Sequence, residues 1–228
     1  MKINTVQKNS FKNHIDSIIN QYLEGAAEKK VKVDPDLEEY LTGIVQSIRI
    51  NNELFFKENK KISFVFLESN IPFYFSSPGG KIVISSGLIK KYIKTEELFA
   101  AILAQELIRI EKGLYRARRI IPVGVSEIGN VLGFCKLNPE DLLDLYKWSF
   151  LILRRSGRDA IAVLNVLQTQ NKNILDFAFM FDDGRILSNI ERRFKSFLVT
   201  NENIGNLPRY SNVQNKKFAK LSNSLETK

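Results

Sequence analysis

Apolar residues recur at helical spacing through most of this chain and change to denser, β-branched and aromatic runs only between residues 61 and 85. In "SFKNHIDSIINQYL", Phe11, Ile15, Ile18, Ile19, Tyr22 and Leu23 share one helical face, predicting a first helix from about Ser10 to Gly25. A second helix opens in "VDPDLEEYLTGIVQSIRI". Asp34 is its cap, Pro35 takes the first helical position, and Leu37, Leu41, Ile44, Val45 and Ile48 form its apolar stripe. "KISFVFLE" (Lys61 to Glu68) predicts a strand, and "PFYFSSPGGKIVISS" predicts two more joined by a turn at Pro78-Gly79-Gly80. After the short helix "GLIKKYIK", Thr95 caps an amphipathic helix, "EELFAAILAQELIRIEKG". Glu96 and Glu97 favour its first turn, and Gly113 ends it. Asn138 and Pro139 start "PEDLLDLYKWSFLILRR", which stops at Gly157, and helical spacing resumes in "DAIAVLNVLQ" and "RILSNIERRFKSFL". From Thr200 onward the chain is polar and reads as a loosely ordered tail. The element order predicts an α+β fold, mostly α, with a small mixed β-sheet packed on helices. It divides into an N-terminal helical segment (1–32), a central domain (33–200) and a polar C-terminal tail (201–228).

Composition narrows the chemistry. With 228 residues, 44% of them hydrophobic, the chain can build a sizeable core. No run approaches the roughly 18 apolar residues of a membrane span. The longest candidate, Ile120 to Phe134, is interrupted by Pro122, Glu127 and Asn130. The N-terminus has lysines but no apolar core of a signal peptide, so the expectation is a cytoplasmic protein by default, or a periplasmic or membrane-associated one if a leader was removed. A single cysteine, Cys135, forbids an internal disulfide, and a single histidine, His14, forbids any site that needs two. His14 lies beside the first apolar stripe, the place of a helix-surface residue. Net charge is +9, which favours anionic partners. The basic residues are scattered, densest in "YRARR" (Tyr115 to Arg119) and "RRSGR" (Arg154 to Arg158).

The capped helix from Glu96 carries the most specific signal. Gln105, Glu106 and Arg109 stand at the spacing of H-E-x-x-H, the zinc-peptidase motif, with both histidines replaced. Around it, Asn70, Pro78, Gly79, Gly80, Ile82, Ile84, Gly87, Leu88, Glu96, Glu97, Leu98, Ala100 and Leu103 follow one another in an ordered, ungapped pattern. In that pattern the chain resembles the zinc metallopeptidases typified by the CAAX prenyl protease and the HtpX heat-shock protease. A weaker likeness extends to "RRSGRDAIAVLNVL". The resemblance implies a zincin-like fold in which two histidines one helical turn apart hold zinc, the adjacent glutamate activates water, and a downstream glutamate completes the site. Here Gln is a poor ligand and Arg a permanent cation with no lone pair to give, so zinc is not expected and the position reads as vestigial. The downstream E-x-x-x-D occurs as Glu140 to Asp144. An ungapped alignment through "LYKWSFLILRRSG" instead places Leu142 and Tyr146 there, and on that register every zinc ligand is replaced.

Glu106 and Arg109, at i and i+3, are in reach of an ion pair that would plug the metal's place. No Ser, Cys and His arrangement offers another nucleophile and base. "SPGGK" fails as a phosphate loop, because Phe75 stands where the first Gly is required and Ile82 where Ser or Thr is required. The leading expectation is a pseudo-peptidase that binds a protein or peptide in the vestigial cleft. The resemblance suggests Lys81, Ile82, Val83, Ile84 and Ser85 as an edge strand open to an extended peptide. The alternatives are a basic module for nucleic acid or an anionic surface, and a residual peptidase with a non-standard site.

Overall fold

Helix boundaries fall where the capping residues stand. The computed structural model describes residues 5–58, 60–116, 127–181, 183–200 and 216–226. Helix α1 (Thr5–Gly25) is longer than its apolar stripe. Helix α2 (Pro35–Ile50) starts with the Asp34 carboxylate accepting from the Asp36 N–H at 3.0 Å, and all five predicted stripe residues are buried. The short α3 (Ser86–Lys91) is capped by Ser85. Thr95 caps α4 (Glu96–Lys112), which ends on Gly113 at φ 63°, a conformation that favours glycine. Helix α5 (Ile128–Cys135) forms from the apolar glycine-containing stretch, where no helix was expected. The segment 117–126, with most of the "YRARR" cluster, lies outside the described residues. Asn138 caps α6 (Pro139–Arg155), accepting from the Asp141 N–H at 2.9 Å. Then come α7 (Ala162–Lys172), α8 (Gly184–Thr200) and α9 (Lys216–Glu226).

The strands are β1 (Lys30–Val31), β2 (Ser63–Leu67), β3 (Tyr74–Ser76) and β4 (Lys81–Ser85), in the sheet order β1-β2-β4-β3. β2 and β4 are parallel and the other pairs antiparallel, so the sheet is mixed. Gly80, at φ 99°, turns the β3–β4 hairpin where an added Cβ would lie 2.5 Å from the Lys61 carbonyl. Pleat alternation separates two cores. Phe66, Tyr74, Ile82 and Ile84 face the larger cluster built on α2, α4, α6, α7 and α8, while Leu67, Phe73, Phe75 and Val83 face α1 and α5. The Asp16 carboxylate on α1 accepts from the Gly79 N–H at 2.9 Å, pinning the hairpin turn to that helix.

Three expectations change. β4 is not an edge: β2 and β3 flank it, so both sides of its backbone are engaged and Lys81 to Ser85 cannot accept an added strand. The outer strand beside β4 is β3, and Tyr74, Phe75 and Ser76 are all buried. Helix α4 is not amphipathic, since every residue from Phe99 to Ile110 is buried, Gln105, Glu106 and Arg109 included. It runs through the centre of the molecule, with β3 on one side and α6, α7 and α2 around the rest. Finally, the tail ends in a packed helix. Residues 201–215 lie outside the described ones, but α9 places Phe218, Leu221 and Leu225 in the larger core against α3 and α2.

Candidate functional site

The structure gathers the altered motif residues at the C-terminal half of α4, where helical spacing turns Gln105 and Arg109 to one side. The Glu106 side chain is 0% exposed and Arg109's 7%. The Arg109 Nε donates to both Glu106 carboxylate oxygens, at 3.3 and 3.1 Å. Its Nη1 donates to the Cys135 carbonyl at 2.7 Å and the Leu114 carbonyl at 3.2 Å, tying the ends of α4 and α5 together. Burial by itself pulls an arginine toward neutrality. Here the Glu106 charge beside it outweighs that and holds the guanidinium firmly protonated. The cation and the Glu106 carboxylate thus neutralise each other inside the core.

Gln105 belongs to a second buried network. The Tyr146 hydroxyl donates to Gln170 Oε1 (2.7 Å), Gln170 Nε2 donates to the Tyr74 hydroxyl (2.9 Å), and Tyr74 donates to Gln105 Oε1 (2.7 Å). Tyr74 reaches α4 because the pleat puts it on that face of β3, one strand position from Phe73 and Phe75, which point the other way. Burial raises the pKa of the Tyr74 and Tyr146 phenols, so both stay neutral donors. Gln105 Nε2, at the end of this chain of donors, has no hydrogen-bond partner among the described residues and is fully buried. The Cys135 thiol is pushed up to about 12, by burial first, against the lowering pull of Arg109. It is therefore a thiol and not a nucleophilic thiolate near neutrality.

Gln105, Arg109, Leu142 and Tyr146 all line one small cavity of about 30 Å³. Glu140 is elsewhere, on the surface in a bidentate pair with Arg193 at 2.6 and 2.8 Å. Leu142 and Tyr146, and not Glu140, share that cavity with Gln105 and Arg109. An amide, a guanidinium, a leucine and a phenol are not a donor set that fits zinc. Among the described residues no three of His, Cys, Asp and Glu come together as metal donors.

The cavity adjoins a wider groove of about 470 Å³. That groove runs between the turn after α4 (Gly113 to Arg116) and the start of α6 (Asn138, Pro139, Asp141), and Lys136, Leu137 and Ile186 line both spaces. Of the basic clusters, Tyr115 and Arg116 line this groove, and the rest of that cluster lies outside the described residues. Arg158 is committed to Glu96 (3.0 Å), Glu97 (3.2 Å) and Ser47 near the other end of α4. His14 is exposed on α1.

Sequence reasoning missed Tyr74, Gln170 and the Cys135 carbonyl. Two of the three left a trace. Gln170 continues the stripe Val163, Val166, Leu167 with an amide where an apolar residue belongs, and Tyr74 puts a hydroxyl among phenylalanines. A carbonyl leaves none. No helix among the described residues is long and apolar enough to cross a membrane. Compared with models of known protein families, the chain matches none, and no curated protein matches it.

Proposed function

We propose that this chain is a catalytically inactive, metallopeptidase-like protein of zincin-like fold that acts by binding a protein or peptide in the cleft left beside α4. The observation that carries this reading is the buried Glu106–Arg109 pair at 3.1 Å. Peptide hydrolysis on this plan needs a Lewis acid to polarise the carbonyl and a carboxylate free to take a proton from water. A guanidinium fixed by a carboxylate and two carbonyls supplies neither. Binding needs only shape and polar groups, and the groove between Leu114 and Asn138 keeps both. It offers Tyr115 and Leu137 beside Arg116, Lys136 and Asp141. Recognition there runs through side chains and loop backbone, because β4 is interior to the sheet.

Two measurements test this. Elemental analysis of the purified protein and turnover of an unfolded substrate such as casein are expected to show no stoichiometric zinc and no chelator-sensitive cleavage; zinc-dependent cleavage overturns the reading. A peptide digest passed over immobilised protein is expected to leave a retained set that Leu137→Glu releases, and equal retention by both proteins overturns the groove assignment. The family resemblance has its own check. The triple variant Q105H/R109H/L142E should bind about one zinc per chain, whereas Q105H/R109H alone, with native Glu140 facing Arg193, should bind far more weakly.

A further inference from the structure

Where α2 runs into the turn that follows it, apolar side chains stand in water. Ile50 is 66% exposed and Leu54 89%, and the neighbouring Phe55 ring lies 5.1 Å from that of Trp148 on α6, itself 44% exposed. The turn is fastened on two sides. Asn52 Nδ2 donates to the Ile152 carbonyl and to Ser156 Oγ on the α6 side, both at 3.1 Å, and the Glu111 carboxylate on α4 accepts from the Lys57 N–H at 2.9 Å. The fold therefore holds a leucine, a phenylalanine and the chain's one tryptophan together at its surface, a grouping that marks a docking site.

Charge and shape decide what docks. The Lys112 ammonium lies 4.3 Å from the Phe55 ring centroid, Lys57 is exposed at the end of the turn, and exposed Arg155 lies two helical turns along α6 from Trp148. Of the nearby carboxylates, Glu58 pairs with Lys60 at 2.8 Å and Asp144 with Lys147 at 3.6 Å, which leaves Glu53 in the turn against three cations. An apolar prominence rimmed by cations is complementary to a layer that is anionic at its surface and apolar beneath. A second copy presenting the same patch would set protruding side chains against each other, and none of these residues lines either cavity described above. A fluid bilayer takes a protrusion without a matching hollow, and tryptophan suits the headgroup level.

We propose that Leu54, Phe55 and Trp148 dock this protein peripherally on an anionic phospholipid surface, with Lys57, Lys112 and Arg155 at the headgroups. Docking of this kind is separate from peptide capture in the groove and does not rest on the peptidase-like reading, so either can fail without the other.

The test is cosedimentation of the full chain with vesicles of mixed phosphatidylcholine and phosphatidylserine, with pure phosphatidylcholine vesicles beside them, while the emission of Trp148 is followed. As the only tryptophan, it reports on the patch alone. Binding is expected to the mixed vesicles and to be much weaker without phosphatidylserine, with a blue shift of the Trp148 emission. Leu54→Glu, at a position too exposed to disturb folding, should weaken binding about tenfold or more. Lys112→Gln should weaken it about fivefold. Sedimentation velocity without lipid is expected to show a monomer. The proposal is overturned by absence of binding, by equal binding to both vesicles, by binding that leaves the Trp148 emission unmoved or by unchanged affinity in either variant. A dimer that Leu54→Glu dissociates overturns it too, and assigns the patch to a second copy.

Discussion

Glu106 and Arg109 show how a buried ion pair constrains a core. Each charge has lost its water, and the pair is tolerated because the guanidinium also finds the Leu114 and Cys135 carbonyls. Arg109→Met strands a carboxylate that is 0% exposed and is expected to destabilise the protein by about 3–5 kcal/mol in urea unfolding. Glu106→Leu combined with Arg109→Met should recover most of that loss, because apolar groups of similar volume can replace both partners. Alkaline pH offers a second check. Folded Cys135 titrates near 12, and burial also raises Tyr74, Tyr115 and Tyr146. Between the unfolded thiol's ordinary value and 12 the folded state binds more protons, so stability falls as pH rises through that window. The fall should start at about pH 8.5–9, and Cys135→Ala should make its first part shallower.

Helix caps act locally, and their worth is separable. Thr95→Ala and Asn138→Ala each remove a side-chain acceptor from a helix start and are expected to cost about 1 kcal/mol, additively, since the two caps serve different helices. β4 behaves differently. Val83 is paired on both sides, to Val65 and Phe75, so Val83→Pro should unfold the protein, with loss of its far-ultraviolet circular dichroism, where the same change on a free edge would spare the fold. Helix α9 is the element that composition concealed. A chain ending at Asn215 would expose the surface beneath Phe218, Leu221 and Leu225, including Phe99, whose ring lies 5.8 Å from that of Phe218. Burial of about 1.5–3 kcal/mol per side chain makes a marked drop in melting temperature the expected result.

For the molecule as a whole, the net charge of +9 attracts anions, and part of that charge is paired among the described residues. Arg158, in the cluster Arg154 to Arg158, is paired with Glu96 and Glu97, and Arg193 with Glu140, so these arginines contribute less free cation than their number suggests. Binding to duplex DNA, followed by fluorescence anisotropy, is expected to be weak and to vanish by about 0.2 M salt, as counterion release alone would dictate. High affinity that persists in salt would instead point to an interface this arrangement does not predict.

Much of the architecture was legible in the chain because its signals are local. Pro35 after Asp34, Thr95 before two glutamates, Asn138 before Pro139 and the Pro78-Gly79-Gly80 turn each set a boundary through the bonds of a few neighbouring residues. The motif arithmetic was local too: one histidine and an arginine at position 109 decide against the usual zinc donors without any coordinates. What required the folded chain was everything that depends on a neighbour far along the sequence. Strand order made β4 interior, since pairing with β2 and β3 is a long-range choice that alternation cannot encode. Packing on every side buried α4, so its polar residues became a core network instead of a wet face. The Cys135 carbonyl became Arg109's partner 26 residues away, and Phe218, Leu221 and Leu225 turned a polar tail into a helix, because an apolar residue's fate depends on whether a complementary surface is left to receive it.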